Sequence, residues 1–171
     1  MRKIIVILIL SLNLFGYNEL EFDSIDAKFT QTIKSQNQTI NYSGLVVIDS
    51  KLGAFWQYQT PTTKLIYFRE NRVTIIEPEL EQAIITSLKN SPDITQILKN
   101  AKKLTDDKFQ AQYDDIIYNI TMQNNSPKLI SYEDKLGNQI TIEFTQIIKN
   151  KPINKELLTP KIPANYDIIS N

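Results

Sequence analysis

The chain has 171 residues, 42% of them hydrophobic, with 19 basic and 19 acidic side chains and neither histidine nor cysteine. Its length suits one domain with a real core, and its composition is globular rather than disordered or collagenous. Balanced charge excludes a strongly basic nucleic-acid binder, and the missing His and Cys exclude a Ser-His-Asp triad, a thiol nucleophile, disulfides and ordinary zinc or haem sites.

The N-terminus reads as a targeting segment. Met1-Arg2-Lys3 is basic, Ile4 to Leu12 is almost continuously apolar, and the run closes near Phe15-Gly16. A bilayer span needs about 20 apolar residues, so this layout predicts a secretory signal over 1–16 and an exported single domain over 17–171. With no cysteine to acylate, the exported chain is not expected to be a lipoprotein itself.

After a short mixed stretch over 17–23, Ile25, Ala27 and Phe29 alternate with Asp26, Lys28 and Thr30, the period-two pattern of a half-buried strand. Ser35-Gln36-Asn37 is a turn, and Ile40, Tyr42, Gly44, Val46 and Ile48 continue the alternation in a second strand. Ala54, Trp56 and Tyr58 form a third, stopped by Pro61. Lys64–Arg69 and Arg72–Glu77 read as a hairpin about Glu70-Asn71, and Glu81–Leu88 follows the Glu77-Pro78-Glu79 turn as a further strand.

The period then changes. Ser91-Pro92-Asp93 resembles an N-cap, a first-turn proline and an early carboxylate, and Ile94, Ile97, Leu98 and Ala101 follow at helical spacing, ending near Lys102-Lys103. Lys99 falls on the solvent face of this helix. Strand patterns return at Phe109–Tyr113, Ile116–Met122, Leu129–Glu133 and Gln139–Ile147, with turns at Asn124 to Pro127 and Gly137-Asn138. Pro152, Pro160 and Pro163 predict an extended, partly irregular tail. The whole reads as mainly β with α: an open antiparallel sheet of about ten strands, curled by its own twist, with one helix to cover its inner face.

Little in the chain carries bond-making chemistry. The four glycines are far apart, so no phosphate-cradling loop exists, and no serine has a lysine three residues later. The carboxylate groups Glu77/Glu79/Glu81, Asp106-Asp107, Asp114-Asp115 and Glu133-Asp134 lie beside turns, where charge is simply solvated. No catalytic, cofactor or metal site is therefore expected. The distinctive feature is apolar. Phe29, Tyr42, Val46, Ile48, Trp56 and Tyr58 gather on the predicted concave face, and Ile94, Ile97 and Leu98 on the helix face it. An ordinary core and a ligand cavity use the same residue types, and composition does not separate them.

Motif order does. Ala27-Lys28-Phe29-Thr30-Gln31-Thr32, Ser43-Gly44 before Val46-Val47-Ile48, Trp56 with Pro61, Glu77-Pro78-Glu79-Leu80-Glu81-Gln82, Leu136-Gly137-Asn138 with Glu143-Phe144, and Thr159-Pro160 through Tyr166-Asp167-Ile168-Ile169 resemble successive segments of the LolA family. The resemblance implies an unclosed half-barrel with a helical lid over an acyl-chain cavity. It also implies a monomeric, non-enzymatic periplasmic carrier of acylated lipoproteins, with no nucleic-acid partner. The donor would be an inner-membrane lipoprotein-releasing ABC transporter; the acceptor, an outer-membrane protein or the outer membrane itself. A related envelope-stress sensor or lipid-binding module is the alternative. The family's lid-holding Arg-Pro aligns with Ser50-Lys51, so the latch is expected there, with Lys51 a point charge lacking the guanidinium fork.

Overall fold

The computed structural model describes residues 20, 22–69, 71–87 and 93–170. The signal segment, most of the 17–23 stretch, Glu70, Leu88 and the Ser91-Pro92 start of the expected helix lie outside the described residues.

One twelve-stranded sheet organises the chain, in the order β12-β6-β5-β4-β3-β2-β1-β11-β10-β9-β8-β7. The first half is a meander of β1 (Ser24–Lys34), β2 (Thr39–Asp49), β3 (Gly53–Thr60), β4 (Lys64–Arg69), β5 (Arg72–Glu77) and β6 (Gln82–Ser87). Helix α1 (Ile94–Lys99) crosses to a second meander of β7 (Lys102–Lys103), β8 (Lys108–Tyr113), β9 (Ile116–Gln123), β10 (Ser126–Glu133) and β11 (Gln139–Lys149). Strand β11 returns to pair antiparallel with β1, which joins the halves. The outer strands β12 and β7 do not meet, so the curled sheet stays unclosed.

The curl follows from where the apolar residues fall. In β1, Ile25, Ala27, Phe29 and Gln31 are buried, while Asp26, Lys28 and Thr30 are exposed. Cross-strand pairing carries the buried face through Ala27 opposite Val46 and Val46 opposite Trp56. On the other side it runs through Phe29 opposite Phe144 and Ile142 opposite Ile130. Trp56 and Phe144 lie on strands three places apart, yet their rings are 6.2 Å apart. Only a sheet bent around its own side chains allows that contact.

A close approach in β2 requires glycine. A Cβ on Gly44 would lie 1.9 Å from the carbonyl oxygen of Gln57 on β3 and 3.0 Å from the Phe29 ring. The tight hairpins use residues that tolerate positive φ: Asp114-Asp115 (46° and 64°) and Asn124-Asn125 (50° and 57°). Two of the carboxylates noted in the sequence are therefore turn residues.

Several expectations are corrected. Among the described residues there are twelve strands rather than about ten, and the sheet is not wholly antiparallel, because β12 (Asp167–Ser170) pairs parallel with β6. The tail reaches that edge by crossing the convex face. Its 3-10 turn Lys155–Leu158 buries Leu158, and Ile162 and Tyr166 pack on a second cluster of Tyr67, Ile76 and Ala83. Strands β4 and β5 are thus covered on both faces, which explains their near-continuous apolar runs. Strand β10 begins at Ser126, with Pro127 accommodated at a bulge instead of in a turn. Lys102-Lys103 forms β7 rather than a helix end. Asp93 is the N-cap of α1, accepting from the Thr95 N–H, and the helix has six residues.

Candidate functional site

Between α1 and the concave face lies a cavity of about 130 Å³. Gln31, Trp56, Tyr58, Ile66 and Phe68 line one wall. Tyr118, Ile130, Tyr132 and Ile142 line the opposite wall, and Ile94 and Ile97 of α1 close the space. The cavity is possible because β3–β4 and β9–β11 are the walls of one trough, and the six-residue α1 does not fill it.

Four of the residues expected at the site reach the cavity: Trp56, Tyr58, Ile94 and Ile97. Phe29 lies behind them, edge-on to Trp56 at 4.8 Å and to Tyr58 at 4.9 Å. Val46 and Ile48 are fully buried core. Tyr42 is half-buried and meets Tyr58 edge-on at 5.7 Å. Leu98 is 1% exposed and turns away from the cavity, toward Leu20, Phe22, Met122 and Pro127. Sequence reasoning passed over Gln31, Ile66, Phe68 and the second-half residues. Gln31 was detectable, because it stands two residues after Phe29 and so shares its face.

The cavity is not uniformly apolar. Tyr58 Oη donates to Gln31 Oε1 at 2.7 Å. Burial pushes the Tyr58 hydroxyl up from its ordinary value, with Tyr132 and Tyr42 adding to the effect. Burial likewise raises Tyr132, and pushes Tyr118 up to about 12. These phenols stay protonated across the physiological range and act as neutral hydrogen-bonding groups.

The contact between α1 and the β2–β3 turn differs from the one expected. Lys51 is exposed, and its N–H donates to Asp49 Oδ1 within the turn. The cation that spans the gap is Lys99 of α1, whose Nζ donates to the backbone carbonyl of Ser50 at 2.5 Å. Lys99 is solvent-facing but not idle, because a flexible ammonium needs only an acceptor within reach. At the other end of α1, Asp93 Oδ1 accepts from both the N–H and the hydroxyl of Thr95 at 3.0 Å. Burial raises the Asp93 carboxyl, opposed by those Thr95 bonds and by Lys99.

The Glu77-Pro78 motif also has a structural role. Glu77 pairs with Lys64 at 2.8 Å and accepts from Gln82 Nε2 at 2.5 Å, clasping the 3-10 turn Pro78–Leu80. The Lys64 and Gln82 hydrogen bonds hold Glu77 below the usual glutamate range. Glu79 accepts from the Thr63 N–H. Among the described residues, no group of three or more His, Cys, Asp or Glu is placed to hold a metal, and no helix is long and apolar enough to cross a membrane.

Residues 21–115 match the family model described as outer membrane lipoprotein carrier protein LolA. A relative from Campylobacter jejuni, named outer-membrane lipoprotein carrier protein, is 39% identical over 169 residues, 99% of each chain. One of the same name from Helicobacter pylori is 33% identical over 85% of this chain and 79% of its own. A LolA superfamily structure from Nitrosomonas europaea superposes with a TM-score of 0.53 at 12% identity, covering 84% of this chain and 94% of that one. An unclosed sheet wrapped about an apolar cavity and near full-length similarity to named carriers agree on one assignment: the chain belongs to the LolA family of outer-membrane lipoprotein carrier proteins.

Proposed function

We propose that this protein is a periplasmic carrier that shelters the acyl chains of outer-membrane lipoproteins beneath α1, with α1 as the lid. It performs no bond-making chemistry. Each methylene kept from water is worth about 0.8 kcal/mol, so a long acyl chain does not cross an aqueous space unaided on a useful timescale. The observation that carries the lid reading is the mismatch between lining and size. The cavity is lined mainly by apolar and aromatic side chains yet holds only about 130 Å³. A space of about 150 Å³ takes a benzene, and drug-sized ligands need roughly 300–1,000 Å³. Loading therefore requires the walls to part, and α1 is the short cover, tied down at its C-terminal end by Lys99 on Ser50.

In this reading residues 1–16 direct export, and the domain over 17–171 works as a monomer. It takes cargo from an inner-membrane lipoprotein-releasing ABC transporter and yields it to an acceptor at the outer membrane or to that membrane itself.

Trp56, in the cavity wall, is the only tryptophan, so its emission is a direct reporter. Adding an N-palmitoyl peptide should shift it, and Lys99→Met should speed that shift about fivefold, because one hydrogen bond of about 1 kcal/mol no longer holds the lid. An emission that stays unchanged at saturating peptide, together with no transfer of a labelled lipoprotein to acceptor membranes, would overturn the proposal.

A further inference from the structure

Gln31 is the one amide side chain among the buried polar residues, 9% exposed in a wall otherwise made of aromatic and aliphatic groups. Its Oε1 is taken by Tyr58. Among the described residues no buried side-chain nitrogen or oxygen is sealed away without a partner. The Nε2 donates to no protein group among the described residues and is not sealed from solvent, and Gln31 lines the cavity. An amide in such surroundings is costly unless both ends are satisfied. Here the oxygen is bonded and oriented, while the amide nitrogen has no acceptor among the described residues. An ordinary core position would carry leucine.

Its place along the trough matters. Gln31 pairs with Tyr42 on β2 and Ile142 on β11. That level is remote from the Ser50 turn, where Lys99 fastens α1. The cavity thus sets the bonded pair Gln31 and Tyr58 on the sheet side, with the aliphatic Ile94 and Ile97 of α1 across from the sheet. A ligand that matches it has a carbonyl at one point and saturated hydrocarbon beyond.

We infer that Gln31 is a specificity residue whose Nε2 donates to the carbonyl oxygen of an acyl ester or acyl amide, with Tyr58 fixing the amide so that the donor faces the cavity. This rests on the acyl-chain reading above and adds to it a direction: the carbonyl stops at Gln31 and the methyl end lies beneath α1. Plain hydrocarbon has no partner for this group, so the cavity distinguishes acylated cargo from other apolar material.

A matched pair of probes tests it. 1-Palmitoylglycerol and 1-O-hexadecylglycerol differ only in C=O against CH₂, and both are titrated below aggregation by Trp56 emission and calorimetry. The wild-type protein should prefer the ester by about threefold to tenfold, the range of one net hydrogen bond. In Gln31→Met, which keeps the length and loses the donor, the preference should fall to near one, with ether binding unchanged or tighter. Gln31→Glu should also lose the preference, since a carboxylate offers acceptors only. Equal wild-type affinity for ester and ether, with Trp56 responding to both, would overturn the role of Gln31 and leave the carrier intact. So would an ester preference retained in Gln31→Met. Failure of the wild type to bind either probe would overturn the acyl cavity itself, and this inference with it. The wild-type ratio needs no variant, so the test survives a substitution that fails to fold.

Discussion

Ile97 and Leu98 are neighbours on α1, similar in size and both buried, yet their surroundings predict different consequences for the same truncation. Leu98 is 1% exposed and packs toward Leu20, Phe22, Met122 and Pro127, with no usable cavity beside it. Leu98→Ala removes three carbons, about 2.4 kcal/mol at about 0.8 each. The hole left in a packed site adds to this, so the total loss is about 3–4 kcal/mol. Ile97 borders the 130 Å³ cavity, so part of its surface already lacks packed neighbours. Ile97→Ala loses similar transfer energy but little cavity energy, and should cost about 2.5 kcal/mol, toward the low end for Ile→Ala. It also widens the cavity, so acyl probes should bind as well as or better than in the wild type. Urea midpoints at unchanged m-value give the two stabilities, and Trp56 emission gives probe affinity. Leu98→Ala should show the larger drop in midpoint. Equal losses, or a larger loss in Ile97→Ala, would refute the division of α1 into a residue that anchors it and one that lines the site.

Gly44→Ala should cost about 3 kcal/mol or more, because its Cβ would meet backbone at 1.9 Å rather than a movable side chain. A urea midpoint near the wild-type value would mean that β2 and β3 can separate there freely. The Glu77 clasp predicts a pH dependence of known sign. Its folded pKa is lowered by Lys64 and Gln82, so its stabilisation is present above the unfolded glutamate pKa and is lost as pH falls through the folded one. Between about pH 7 and pH 3 the wild type should lose about 1 kcal/mol more than Glu77→Gln. Parallel pH profiles of the two midpoints would remove Glu77 from the account.

Much of the architecture was legible locally. Period-two alternation in Ile25–Phe29 and Ile40–Ile48 marks strands with one buried face whatever lies across from them, because successive side chains alternate across a strand. Paired Asn or Asp residues mark tight turns because they tolerate positive φ. The tail was not legible. Asp167–Ser170 is four residues long and becomes a strand only because the edge of β6 is open to it and Ile162 and Tyr166 hold the chain on the convex face. The helix start has a similar cause. Ser91 and Asp93 are both good caps by residue type, and the Thr95 bonds select Asp93.

The site divides along the same line. The order of residues was enough to gather aromatic and aliphatic side chains on one face of a sheet and set a helix against them, since burial of apolar surface is encoded by periodicity. It also determined which chemistry was excluded, since a chain without His or Cys carries neither. Which buried residues pack and which face empty space is settled by the assembled fold. Val46, Ile48 and Leu98 became core, whereas Trp56, Tyr58, Ile94 and Ile97 became cavity wall. The cation that reaches the β2–β3 turn came from α1 at Lys99 rather than from Lys51 in the turn. The reason is geometric. A void forms where the curl of the sheet exceeds what one helix can fill, and that mismatch depends on the placement of strands β3 to β11 together, which no local window contains.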